Sequence, residues 1–329
     1  VQISLEQLKQ TTLTALTRSG YPPEEGEIIL DVLMYAQLRG NNQGIVKLIG
    51  PGMPRHPQAE PIRIVRETKL SALLDGGRNA GMVVLTRAAD LAIEKAREHG
   101  IGIVGTNNTN TSTGAIGYYA NRGALAGLIT LVFSGSGEYV AMHGSYEPIF
   151  GTNPLAIGIP STGTPIVFDM ATAAIARFGI VEAKTAGRSI PGDVAYDANG
   201  QLTTDPAAAL SGAIRAFGGY KGAALALMVE IFTQPLVGTS PDSDGKKTDW
   251  GNLVIALDPE LLVDGETFKA RVEALGQRVK ATRKLPSVEE ILLPGERGNQ
   301  LLQQALETGA IEIEDSLWAG LQAAAGLDK

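Results

Sequence analysis

Residues 86–105 read TRAADLAIEKAREHGIGIVG. Gly100, Gly102 and Gly105 in this stretch spell G-x-G-x-x-G, the pattern of a dinucleotide-binding turn. Such a turn follows a strand and opens a helix. Here the order is reversed. The spacing of apolar residues predicts a helix over Thr86–His99, stopped by Gly100. The apolar residues between the glycines, Ile101–Val104, are themselves the predicted strand. The Rossmann reading is therefore rejected, and no G-x-x-x-x-G-K-[ST] phosphate loop occurs elsewhere.

Outward from this stretch, strands and helices alternate from about residue 70. Leu128–Phe133, Pro154–Ile159, Ile166–Met170 and Leu253–Leu257 read as buried strands. Helices are predicted over Gly114–Arg122, Tyr220–Val237, Glu266–Ala281, Asn299–Thr308 and Glu314–Ala325. Before residue 40 the pattern is helical. Ser4 and Gln7 form a capping box ahead of a helix stopped by Gly20. Pro22-Pro23-Glu24-Glu25 opens a second helix, which Arg39-Gly40 ends. Residues 184–206 are turn-rich. The fold class is α/β, with a mixed sheet core and a helical domain built from both chain ends. The expected division is 1–70 with 258–329 as the helical part and 71–257 as the α/β part.

Composition narrows the function. The 329 residues include 40 Gly, no Cys and three His, with a formal net charge of −7. Gly is enriched over the usual ~7%, which favours tight turns and close backbone approach to a ligand. Disulfides, Cys–zinc sites and thiol catalysis are excluded. A His-rich metal centre is excluded too, and the metal expectation is none. No Lys/Arg-rich run suggests nucleic acid. No apolar segment reaches the ~18–20 residues of a membrane span. The opening VQISLEQ lacks a basic-then-apolar signal, so the expected location is cytoplasmic.

Seven short segments then stand out: Leu38–Leu48, Thr111–Tyr119, Phe150–Pro154, Phe168–Thr172, Gly200–Pro206, Gly219–Glu230 and Leu293–Gly298. In this order and spacing the chain resembles the type 2 malate/L-lactate dehydrogenase family over about residues 10–300. That resemblance implies the family's own non-Rossmann fold, NADPH or NADH as cofactor, and a homodimer. It places the cofactor against Ser112, Thr113, Gly114, Ala115 and Ile116. Gly114 would let backbone N–H groups approach phosphate at a helix N-terminus. Ser136, Asp169, Met170, Ala171, Lys221 and the loop Leu293, Pro294, Gly295, Glu296 and Arg297 match further cofactor positions. Lys221 and Arg297 can neutralise a pyrophosphate. Structural roles compete: Asp169 as a strand-end turn residue, Lys221 as a solvated helix start.

The catalytic positions depart from the family pattern. Its Ser-His-Gly-x-x-Arg motif is here Asn42, Gln43, Gly44 and, at the Arg position, Lys47. Gln43 thus replaces the proton donor. Lys47 keeps the charge that would hold a substrate carboxylate but loses the bidentate fork. A second family His is Ser112, and a later acid or Lys is Gly179. His143 precedes the FGTNP segment, near the expected cofactor. His99 suits a helix C-terminus, and His56 sits in a Pro-rich loop. Thr152 matches a substrate-contacting position. Arg177 is an alternative carboxylate holder. Tyr118 and Tyr146 are candidate proton sources, though both residue types more commonly pack.

Ketone reduction needs a proton delivered to oxygen, usually by His. An iminium brings its own proton, leaving the site to orient the reactants. The losses therefore favour a nicotinamide-dependent imine reductase acting on a cyclic or N-substituted imino acid, a small carboxylate substrate. A 2-oxoacid/2-hydroxyacid dehydrogenase with an unusual donor is the second reading. A catalytically inactive nucleotide-binding paralogue is the third.

Overall fold

The computed structural model describes residues 1–239 and 249–327. Helices begin where the chain supplies caps. Helix α1 (Leu5–Arg18) starts behind Ser4, whose Oγ accepts the Gln7 N–H at 3.1 Å. Helix α2 (Pro23–Gln37) opens on Pro23, with Glu24 and Glu25 in its first turn. Helix α3 (Gly81–His99) ends at Gly100, in the left-handed region with φ +83°. The remaining long helices are α4 (Gly117–Leu125), α5 (Arg177–Thr185), α6 (Tyr220–Thr233), α7 (Gly265–Lys280), α8 (Glu296–Thr308) and α9 (Asp315–Ala325).

Seven strands form the main sheet: β1 (Arg63–Glu67), β2 (Ser71–Asp75), β3 (Ile101–Asn107), β4 (Ile129–Ser134), β5 (Leu155–Ile159), β6 (Ile166–Met170) and β7 (Asn252–Leu257). Their order across the sheet is β1-β2-β3-β7-β4-β5-β6. Strands β2 and β3 run parallel, and α3 supplies the crossover that a parallel pair requires. Every other neighbouring pair in this sheet is antiparallel. The mixed α/β architecture expected from the sequence is thus present.

The glycines of GIGIVG serve this packing. A Cβ on Gly102 would lie 2.0 Å from the Ala92 carbonyl oxygen of α3. A Cβ on Gly105 would lie 2.8 Å from Val237 Cγ1. The motif lets a helix and a connecting segment press onto a central strand; it forms no phosphate turn.

The two chain ends meet. Residues Gln2–Ser4 pair antiparallel with Ala310–Glu312, and α9 packs on α1. One apolar cluster contains Leu16 of α1, Leu33 of α2, Leu85 of α3, Val132 and Val254 of the sheet, and Leu321 of α9. This cluster draws residues from both expected parts of the chain, and β1 joins the main sheet. A second cluster, including Val140, Ile180, Ile214 and Ala223, surrounds a small four-stranded sheet. Its strands follow the order Ala195–Tyr196, Ala213–Ile214, Val140–Ala141, Pro148–Phe150.

Several boundaries differ from the sequence expectation. Strand β3 continues to Asn107, where Thr106 Oγ1 accepts from Asn252 Nδ2 at 2.9 Å. Helix α3 begins five residues earlier than expected, at Gly81, whose missing side chain accommodates the Ser112 carbonyl. Helix α6 stops at Thr233, before Val237. Helix α8 starts at Glu296, directly after Gly295. Helix α5 and the short helix Pro206–Ser211 are additional to the sequence reading.

The largest correction concerns Gly114. Helix α4 begins at Gly117, because Thr111 (φ +62°) and Gly114 (φ +69°) cannot be helical. A Cβ on Gly114 would lie 2.6 Å from Val32 Cγ1 and 3.1 Å from Met82 Cε. The glycine is required by α2 and α3 and by its own backbone. Gly114→Val should therefore destabilise the fold by roughly 2–5 kcal/mol, combining overpacking with left-handed strain. Chemical denaturation would read this as a lower midpoint; an unchanged midpoint would contradict the packing role.

Candidate active site

The C-terminal end of α2, strand β6 and the start of α8 enclose a cleft of about 320 Å³. Tyr35 and Arg39 form one wall, Phe168 and Asp169 the floor, and Pro294, Gly295 and Asn299 the opposite side. Of the residues expected from sequence, Asp169, Pro294 and Gly295 line it. Tyr35, Arg39, Asn41, Gly298 and Asn299 were not anticipated. Arg39 and Asn41 lay inside the quoted segment Leu38–Leu48, where Arg39-Gly40 read as a helix stop. Gly298 and Asn299 directly follow the predicted loop.

Asp169 fixes the floor. Its Oδ2 accepts the N–H of Gly117 at 2.9 Å, at the N-terminus of α4. Gly117 allows this approach, since a Cβ there would lie 2.9 Å from the same oxygen. Solvent reaches the carboxyl from the cleft, while protein encloses the other sides. That enclosure pushes its pKa up to about 6, against the opposing effect of the Gly117 hydrogen bond. The Gly117, Tyr118, Tyr119 and Ala120 amides at this helix start all have partners: Asp169, Ala115, Ile116 and Ile116. The anion at the helix N-terminus is thus the protein's own carboxylate.

The segment Ser112–Ile116 is bonded internally. Ser112 Oγ accepts from the Gly114 N–H at 3.1 Å, and Thr113 Oγ1 meets Ser134 Oγ at 3.1 Å. The Tyr119 hydroxyl donates to the Thr113 carbonyl at 2.8 Å. Ala115 and Ile116 are buried. Nearby, Ser136 Oγ accepts the Thr152 N–H at 3.2 Å, and the Thr152 carbonyl accepts from Thr172 N at 2.9 Å. This ties the FGTNP segment to the turn after Asp169-Met170-Ala171. In the loop 293–297, Glu296 is committed to structure: its carboxylate pairs with Lys280 at 3.0 Å and accepts the Leu293 N–H at 2.8 Å. Arg297 and Lys221 are exposed.

Lys47 occupies a separate, buried position in the short helical turn Ile45–Leu48. Its Nζ lies 3.8 Å from the centroid of the Phe178 ring. Among the described residues no carboxylate pairs with it, and burial alone lowers its pKa to about 7. The preceding backbone is pinned by Gln37, whose Oε1 accepts the Ile45 N–H at 3.1 Å. A Cβ on Gly44 would collide with that Gln37 side chain. Gln43 is half-buried, and its Nε2 donates to Asn42 Oδ1 at 3.1 Å.

The other candidates do not line the cleft. Tyr118 stands edge-on between Tyr35 (5.6 Å) and Tyr119 (5.1 Å), and burial raises its phenol pKa. Its role here is an aromatic brace behind the wall. Tyr146 is exposed and packs on Gly200; His143 is exposed, 6.3 Å from the Tyr220 ring. Arg177 stacks 4.1 Å from the Tyr139 ring. His56 Nδ1 accepts the Gln58 N–H at 3.1 Å, and His99 is the last residue of α3. No His, Cys, Asp and Glu group among the described residues could hold a metal ion, and no helix there is long and apolar enough to cross a membrane.

The cleft presents polar groups of both signs. Oδ1 of Asp169 is left to accept from a hydroxyl, and Arg39 has no carboxylate partner among the described residues. The chain was compared with known proteins. The chain is 38% identical to L-sulfolactate dehydrogenase of Methanothermobacter thermautotrophicus, covering 96% of this chain and 94% of that one. It is 31% identical to Delta(1)-pyrroline-2-carboxylate reductase 1 of Burkholderia ambifaria, covering 90% and 94%. The solved sulfolactate dehydrogenase from Methanocaldococcus jannaschii superposes with a TM-score of 0.84 at 32% identity, covering 100% of this chain and 98% of that one. The malate/L-lactate dehydrogenase family profile matches residues 3–322. The chain accordingly belongs to the malate/L-lactate dehydrogenase family and is an oxidoreductase.

Proposed function

We propose that the protein reduces the C=N bond of a cyclic or N-substituted imino acid with NADPH or NADH. The observation that carries this reading is Lys47, a buried cation without a carboxylate partner, in a segment whose donor position is the amide of Gln43. Asp169, the segment from Ser112 and the loop 293–295 would hold the dinucleotide. When bound, a reduced nicotinamide supplies hydride. The protein's own task is then to bind and orient. The Lys47 ammonium takes the substrate carboxylate, and the Phe178 ring beside it limits water access. Gln43 can donate or accept a hydrogen bond but cannot release a proton near neutral pH. An iminium already carries its proton, so this arrangement suffices for it.

A 2-oxoacid/2-hydroxyacid reaction is the second reading, favoured by the names of the sulfolactate and malate dehydrogenase relatives. Lys47, with its pKa near neutrality, is the group that could deliver the proton it needs. The exposed apolar side chains Leu227, Met228, Ile231 and Phe232 of α6 support the expected homodimer, because a second copy would cover them.

Oxidation of NADPH and NADH, followed with Δ1-pyrroline-2-carboxylate, Δ1-piperideine-2-carboxylate, pyruvate and oxaloacetate, separates the two readings. The imines should be faster by roughly the ~10²–10⁴ that general-acid help contributes to ketone reduction. A faster ketone would establish the second reading.

Lys47→Ala should raise KM for a carboxylate substrate about 10–100-fold, the loss of a charged hydrogen bond of roughly 1.5–3 kcal/mol. Unchanged kinetics would remove Lys47 from the site. The pH profile follows from the same residue. Only the protonated amine attracts a carboxylate, and burial brings its pKa down to about 7. KM should therefore rise as pH increases through and above that region. Lys47→Arg, charged at every accessible pH, should abolish this rise. Persistence of the inflection in Lys47→Arg would assign it to another group.

A further inference from the structure

Arg39 follows α2 and stands in the cleft wall. Its guanidinium lies 3.8 Å from the Tyr35 ring centroid. Nε donates to Asn299 Oδ1 at 3.3 Å, and Nη1 donates to the Tyr35 carbonyl at 3.3 Å. These contacts fix the plane of the group and leave the rest of its fork free. Gly298 makes room for the arm: a Cβ there would lie 3.1 Å from Arg39 Cβ and 3.3 Å from Cγ. Arg55, Arg63 and Arg122 each pair with a carboxylate. Arg39 does not, although partial burial disfavours its charge.

A guanidinium held rigid in a cleft wall without a counter-ion is matched by an anion with planar, multiple acceptors. The cleft also contains the opposite chemistry. Asp169 Oδ1 is available to accept hydroxyl protons, while its Oδ2 is occupied by Gly117. Both groups act electrostatically on the Tyr35 hydroxyl, Arg39 in one direction and Asp169 in the other, which places them around the same ring. A ligand carrying only a carboxylate would satisfy Arg39 and leave Asp169 Oδ1 without a donor. A phosphorylated sugar satisfies both.

Resting on the nicotinamide reading above, we propose that Arg39 receives a phosphate group of the dinucleotide in this cleft while Asp169 accepts a sugar hydroxyl. The phosphate has two sources, the pyrophosphate shared by both cofactors and the 2′-phosphate of NADPH. Their chemistry toward Arg39 is the same, and binding measurements tell them apart.

NADPH and NADH are titrated into wild type, Arg39→Met and Arg39→Lys without substrate, following nicotinamide fluorescence. Arg39→Met, which keeps the packing stem, should weaken binding about 10–100-fold, the scale of a charged hydrogen bond. Arg39→Lys should recover part of that loss, as a point charge lacking the fork. A loss confined to NADPH assigns the 2′-phosphate; an equal loss for both assigns the pyrophosphate. Should Arg39→Met fail to fold, Arg39→Lys decides, with a reduced affinity expected. Unchanged affinity for both cofactors in a folded variant overturns the inference about Arg39 alone. Failure of the wild type to bind either cofactor overturns it together with the nicotinamide reading.

Discussion

The hydrogen bond from the Gly117 amide to Asp169 Oδ2 joins the edge of the main sheet to the start of α4. Much of the cleft follows from it. Helix α4 is pressed onto the sheet at a second point, where a Cβ on Gly158 would lie 2.1 Å from the Ala120 carbonyl. Held at both places, α4 presents Tyr118 edge-on to Tyr35. Tyr35 in turn carries the Arg39 guanidinium on its face. The floor carboxylate and the wall cation are thus positioned through one helix and two rings. Such a chain of rigid contacts keeps polar groups aimed into a cleft without their neutralising each other.

Lys47 is positioned on different terms. Burial without a counter-ion disfavours its charged form, and the scaffold around it has to tolerate that cost. The Gln37 side chain secures the turn before it, and Gly44 leaves space for that side chain. Lys47 and Arg39 both stand without carboxylate partners among the described residues. Other charged side chains do pair, as Arg55 does with Glu25 and Lys280 with Glu290 and Glu296.

Much of the fold was legible because its signals are local. The caps at Ser4 and Pro23, the stop at Gly100 and the apolar runs of β4, β5 and β7 each act within a few residues. What was illegible depends on distant partners. Strand β1 is exposed along its whole length and carries no alternation to read. Gly81 looks like a helix breaker, yet it lies in the first turn of α3 because a neighbouring loop needs the space. At the site, Asp169 and the loop at 294–295 were found through the family resemblance. Arg39 was passed over because its sequence neighbour Gly40 explains it as a helix stop, and its cleft partners Asn299 and Asp169 are remote in the chain. The packing role of Gly114 is illegible for the same reason: the atoms that demand it belong to Val32 and Met82.

The position of β7 has a consequence for how the chain is made. This strand lies between β3 and β4 and pairs with both along its full length, yet it is far later in the sequence than either. While a nascent chain emerges, β3 and β4 have each other's intended neighbour missing. Their facing edges carry unpaired backbone groups and strongly apolar side chains until residues 252–257 arrive. Such edges are templates for pairing with another chain. Synthesis therefore passes through a window in which the half-sheet is vulnerable to association, and the window closes when the last strand inserts at the centre.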